Sequence, residues 1–263
     1  MRSKHYFFLY LFFFFIFPAF CFCQEKTLPA SLMPFVLKGY EMLDFIEGDL
    51  NADKKTDAIL ILRVRGEDTI TTGDLKRPFL LLIAQQDGKL KLVKRNDNLV
   101  MCRQCGGVFG DPYEGLEIIK NGFSISFYGG SSWRWAYTYS FEYNITKKNW
   151  FLAREHQLSY HNTEPELNTT GSDIEAEELG VIPIEKFTSD PPYVDSKWKV
   201  IVTKAYFYDN PKIGSKPRKG YLLKGDRVTG IRYLKNFIEV SFQNKKEVFT
   251  SGYVLRSDIQ KIK

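Results

Sequence analysis

Three aspartates and an asparagine fall within nine positions of the stretch GDLNADKKTD (residues 48–57): Asp49, Asn51, Asp53 and Asp57, directly ahead of the apolar run AILILRV. Oxygen-bearing side chains at such spacing suit two jobs. They can ligate a hard cation, which takes oxygen donors at flexible distances, or they can fold back on their own backbone as an Asx-rich turn with no metal. A second candidate is the pair Cys102 and Cys105 in CRQC. In an oxidising compartment two cysteines three apart form a local disulfide. A redox pair would want a helix N-terminus following a strand, whereas here the glycine-rich GGVFGDP follows. A zinc site would need two further ligands, for which only His156 and His161 remain outside the N-terminal leader. The disulfide is the favoured reading. Neither histidine lies near a serine or cysteine nucleophile motif, and GGSS (residues 129–132) lacks the flanks of a nucleophile elbow. No catalytic residue is assigned, and a non-enzymatic protein is expected.

The elements that must position these groups read as β. RPFLLLIAQQDGKLKLVKR is two apolar runs around Asp87-Gly88, and EGLEIIKNGFSISFY turns at Asn121-Gly122, a strong hairpin signal. In WRWAYTYSFEY, Trp133, Trp135, Tyr137, Tyr139, Phe141 and Tyr143 share one face with period two, which predicts a strand. WFLAR is its return. Such a face is normally buried; Trp133 and Trp135, beside GGSS, are the members expected at a rim where a ligand could bind. The few helices expected include one near PASLMPFVLKG and a short one over residues 173–179. For the latter, Ser172 and Glu175 have capping-box spacing and Gly180 ends the segment. VIPIEKF is expected to lie extended against a neighbour. From Lys197 onward short strands recur every 10–15 residues between Gly, Asn and Asp turns, the rhythm of a small barrel.

The chain opens with Arg2 and Lys4, then an uncharged apolar run over residues 6–23 broken by Pro18. That order predicts a signal peptide over residues 1–23, cleaved after Cys21 or Cys23, and therefore export to a periplasmic or extracellular setting. The alternative is a retained N-terminal membrane anchor. The net charge of +6 conceals a division. Residues 157–195 carry nine acidic and one basic side chain, and residues 196–263 carry 16 basic and five acidic. The expected organisation is an antiparallel β-meander domain over 34–156, an acidic, partly structured linker over 157–195, and a basic barrel over 196–263. The adjoining opposite charges are expected to touch, the acidic segment partly covering the barrel. The alternative is that this segment packs only on the N-terminal domain through Val181, Ile182 and Ile184. Export argues against a nucleic-acid partner. A basic module instead attracts an anionic cell-wall polymer or envelope protein, with membrane contact peripheral at most.

AYFYDNPKIGS, YLLKGDRVTGI, NFIEVSF and GYVLRSDI follow one another in the order of the strands of a bacterial Src-homology-3-like domain, which residues 200–260 resemble. The resemblance implies a non-catalytic accessory module of an envelope protein, with Tyr208, Phe237 and Tyr253 as candidate ligand contacts; Tyr253 stands where the family usually has Trp. GDLNADKKTD resembles the Asp-rich calcium loop of FG-GAP or VCBS-type repeats. That resemblance implies a weak structural calcium site ligated by Asp49, Asn51, Asp53, the Lys55 carbonyl and Asp57. Lys54 departs from the pattern, since it stands at a sharp turn where the family has Gly. The function expected from all this is an exported, non-enzymatic envelope protein with a calcium-like loop and a binding module. The alternative is an accessory or targeting subunit of a wall-modifying enzyme.

Overall fold

In the computed structural model, which describes residues 26–70, 73, 75–163, 165–166, 169–189, 196–244 and 247–262, the apolar runs form antiparallel sheets throughout. The expected signal peptide lies outside the described residues. Strands β1 (Tyr40–Gly48), β2 (Asp57–Val64), β3 (Arg77–Ala84) and β4 (Leu90–Val100) make a four-stranded meander. In β2 and β3 alternate residues go to opposite faces, which is why both runs are apolar without interruption. Ile59, Ile61, Phe79 and Leu81 join the main core. Ala58, Leu60, Leu62, Leu80 and Leu82 face a second cluster covered by the N-terminal segment through Leu32, Phe35 and Leu37. The helix expected near PASLMPFVLKG is a single 3-10 turn, Met33–Phe35.

A second meander comprises β5 (Tyr113–Ile119), β6 (Gly122–Gly130), β7 (Trp133–Asn144), β8 (Asn149–His161) and β9 (Thr170–Glu175). Phe123, Ile125, Phe127, Tyr139, Phe141 and Leu152 bury its inner face against the first sheet, giving a sandwich. Both expected turns are present: Gly88 has φ 77° and Asn121 φ 59°. β9 corrects the expected helix. Residues 170–175 pair with β8, Asp173 opposite His156, so the helix α1 is only Ala176–Leu179 and carries no side-chain cap. Cross-strand hydrogen bonding outweighs a capping signal worth about 1 kcal/mol.

The C-terminal strands are β10 (Ser196–Val200), β11 (Lys204–Tyr206), β12 (Tyr221–Leu223), β13 (Arg227–Tyr233), β14 (Phe237–Gln243), β15 (Phe249–Leu255) and β16 (Ile259–Lys261). They form one sheet in the order β15-β14-β13-β10-β16 and a separate β11-β12 ribbon. The closed barrel expected from the strand rhythm is therefore not formed: β15 and β16 end the sheet without pairing to each other, β15 being bridged instead to Tyr208 through Tyr253, and the ribbon caps a core of Trp198, Val200, Phe207, Val228, Ile238 and Val254. Leu234, Phe237 and Tyr253 belong instead to the sandwich core, which joins the two halves.

Candidate functional site

The Asp-rich stretch bridges β1 and β2, whose register ends at Gly48 opposite Asp57. Leu50 is fully buried and its carbonyl accepts from Trp150 Nε1 at 2.8 Å, so the loop is pinned to the sandwich. Asp57 is buried too. Its Oδ2 accepts from Leu50 N and its Oδ1 from Ala84 N, tying the loop to the end of β3. Asp49 accepts from the backbone N–H groups of Asn51, Asp53 and Lys54, Asn51 Oδ1 from Asp53 N, and Asp53 Oδ1 from Lys55 N. Ala52 and Lys54 take left-handed backbone at φ 63° and 64°, the strain foreseen where Lys replaces Gly.

The Asx-turn geometry and the ion reading coexist here. Carboxylate oxygens of Asp49, Asp53 and Asp57 lie within 4.8 Å of one another and could hold a metal ion, since each carboxylate keeps a lone pair beyond those its N–H partners use. Their electrostatics differ. Burial, reinforced by the charges of Asp53 and Asp49, pushes Asp57 above the usual carboxylate range despite its two N–H donors. Desolvation, the largest single influence, pushes Asp49 up, but its several backbone donors together hold it below that range. A dication would relieve the mutual repulsion of the three.

Cys102 and Cys105 are joined as a disulfide, the state an oxidising compartment favours. The glycines after it explain themselves by contact. Gly107 pairs with Gly130, and a Cβ on Gly107 would sit 2.6 Å from the Gly130 carbonyl oxygen, so the loop docks on the β6–β7 turn only because Gly107 is bare. Beneath this loop is a group the sequence reading missed. Arg77, with no exposed surface, donates to both oxygens of Glu67, to both of Asp111 and to the Met101 carbonyl. An arginine directly ahead of PFLLLIA was the available signal.

A cavity of about 1050 Å³ lies between the sandwich and the C-terminal sheet. Trp135, Tyr137 and Tyr139 wall one side, beside the disulfide; Arg232 and Glu239, opposite each other on β13 and β14, wall the other. The aromatic strand thus runs from buried Phe141 and Tyr139, through Tyr137 and Trp135 in the cleft, to Trp133, which is 53% exposed and packs edge-on against His161. Arg232 pairs with Glu155 of β8, which Gln157 also contacts, while Arg232 Nη2 is buried without a hydrogen-bond partner. Burial pushes the Glu239 carboxyl up, only partly offset by Arg232. The other proposed contacts sit differently. Phe237 and Tyr253 are buried, 1% and 5% exposed, in the core that joins the halves; Tyr208 packs edge-on against Phe237.

A second groove, about 890 Å³, is lined by Lys197, Arg227, Lys261 and the exposed ring of Phe249. Lys199 and Arg227 face each other in register on neighbouring strands, and both are exposed. The acidic segment spends its carboxylates elsewhere: Asp173 on His156, Glu175 on Arg154, Glu185 on Lys94. Glu178 reaches the C-terminal half, where it accepts from Ile213 N and Asn236 Nδ2 in loops between strands.

His156 is hydrogen bonded to Asp173 and His161 to Thr163, both pairs exposed, and nothing among the described residues indicates catalysis. Among those residues no helix is long and apolar enough to cross a membrane. Compared with known proteins, the chain matches no family model, no curated protein and no solved structure.

Proposed function

We propose that this chain is an exported, non-enzymatic envelope protein whose C-terminal module, related to the Src-homology-3-like domains, binds an anionic cell-wall polymer or an acidic envelope protein. The observation that carries the reading is the Lys199–Arg227 pair. Like charges directly opposite on adjacent strands are destabilising, and here they stand exposed beside the groove of Lys197 and Lys261. A solubilising charge need not be placed against its own kind; an anion laid across both strands would repay the repulsion. The Asp-rich loop fits calcium as a structural ion of the N-terminal half, in keeping with an oxygen-only donor set and a millimolar extracellular supply.

Lys199→Gln with Arg227→Gln tests the module. The double variant should bind an immobilised anionic wall polymer more weakly at low salt than the unaltered chain, and the difference should shrink as salt screens the charges. Equal binding by the two proteins at low salt would remove the basis of this assignment.

A further inference from the structure

The cleft between the halves holds two unmatched polar groups on neighbouring strands. Arg232 gives Nη1 to Glu155, but its Nη2 is buried with no hydrogen-bond partner. Glu239, its direct cross-strand neighbour, accepts no hydrogen bond from the described residues. A buried unmatched donor costs about 1–3 kcal/mol, so Arg232 Nη2 calls for an acceptor, and the half-buried Glu239 carboxylate stands beside it. The facing wall is aromatic. The Trp135 and Tyr137 rings are 5.4 Å apart, and Tyr137 and Tyr139 lie nearly parallel, 7° between planes.

The charges around the gap narrow the occupant. A ligand carboxylate would meet Glu155 and Glu239 as well as Arg232, and a ligand ammonium would meet Arg232. A hydroxyl group suits both, because it can accept from the guanidinium and donate to the carboxylate at once. A pyranose supplies several hydroxyls on its rim and an apolar C–H face for the rings, whose π faces are electron-rich. Gln157, Asn98, Ser241 and Ser251 add neutral hydrogen-bonding groups to the lining. The volume, about 1050 Å³, is at the upper end for small-ligand sites.

We infer that this cleft is a carbohydrate site, taking a neutral oligosaccharide with one ring stacked on Trp135 and Tyr137 and its hydroxyls bridging Arg232 and Glu239. It uses none of the basic-groove lysines, so it stands apart from the polyanion reading.

The test is a glycan array of neutral hexose and N-acetylhexosamine oligomers probed with the full chain, followed by calorimetry of the best binder. Binding should weaken about tenfold or more in Glu239→Gln and in Trp135→Ala. It should be unchanged in Lys199→Gln with Arg227→Gln, which separates it from the polymer assignment. Glu239→Gln keeps the side-chain shape and relieves a buried charge, so it tests binding in a folded protein even if Trp135→Ala unfolds. An array without a neutral hit, or a hit that Glu239→Gln leaves at full strength, overturns the proposal.

Discussion

Calcium added to chelator-treated protein should raise Tm, and the size of the rise follows from the loop. If the dissociation constant is of the millimolar class of extracellular modules, calcium at ten times that concentration stabilises by RT ln 11, about 1.4 kcal/mol. For a chain of this length that corresponds to about 3–6 °C. The informative variant is Asp53→Asn. Asp53 is exposed, its Oδ1 accepts from Lys55 N and its Oδ2 lies 3.6 Å from Lys55 Nζ, and amide for carboxylate keeps the backbone-bonded oxygen. The baseline Tm should therefore stay within about 0.5 kcal/mol of the original while the calcium response falls away. Asp57→Asn is a poorer probe, because both Asp57 oxygens hold backbone N–H groups whether or not an ion is present. Lys54→Gly should enlarge the response. It removes an ammonium from the loop and relieves a left-handed residue costing about 1–2 kcal/mol, offset in part by the greater freedom of unfolded Gly. Differential scanning calorimetry with and without calcium decides the matter. A flat response in the unaltered protein, or an equal rise in Asp53→Asn, would refute the ion reading and leave an Asx turn.

Arg77→Met should destabilise by about 3–5 kcal/mol, because it strands Glu67 and Asp111 around a buried gap. Chemical denaturation should show the loss, with partial recovery on adding Glu67→Gln; a near-neutral Arg77→Met would mean the pair is solvated. Glu239→Gln should alter the pH profile of stability in a set direction. Burial raises the folded carboxyl above its ordinary 4.5, so the native state keeps the proton longer and stability falls as pH rises through the window above that value. The glutamine variant should lose that fall and be the more stable protein at neutral pH; urea midpoints at acidic and neutral pH giving the same slope for both proteins would contradict it.

How much of this was legible depends on how far apart in sequence the cause lies. Period two in the aromatic strand and the Asn121-Gly122 turn act within a dozen residues, so the hairpins and the run Trp133–Asn144 could be read directly. What stacks on what could not. The apolar continuity of Asp57–Val64 records burial on both faces, but the covering partners are the second meander on one side and residues 28–37 on the other. SDIEAEELG carries a sound local helix signal, and β8 overrides it from residues 154–159. Strand rhythm after Lys197 is the same for a barrel and an open sheet, since closure depends on whether the edge strands meet. The Asp-rich loop was visible because its ligands are contiguous. The cleft was invisible because Trp135, Glu155, Arg232 and Glu239 come from four strands. Their one local trace was a charge inside an otherwise β-forming run.

The charge division also acquires a different physical meaning. A segment with nine carboxylates against a strongly basic neighbour reads as a loose electrostatic cover. Four of its described carboxylates have partners: three pair with the sandwich, and Glu178, 7% exposed, accepts from an amide N–H and a side-chain amide of the C-terminal half while its carbonyl accepts from Lys235 N. Directional bonds of this kind, unlike exposed ion pairs, are little weakened by salt. With Leu234, Phe237 and Tyr253 in the sandwich core and Glu155 paired to Arg232, the halves share both apolar and polar ties. Relative motion of the halves is the default unless the surface they share is large and apolar, and these ties oppose it. The acidic segment serves the basic module by fixing it in place, with Lys199 and Arg227 left on the exposed face.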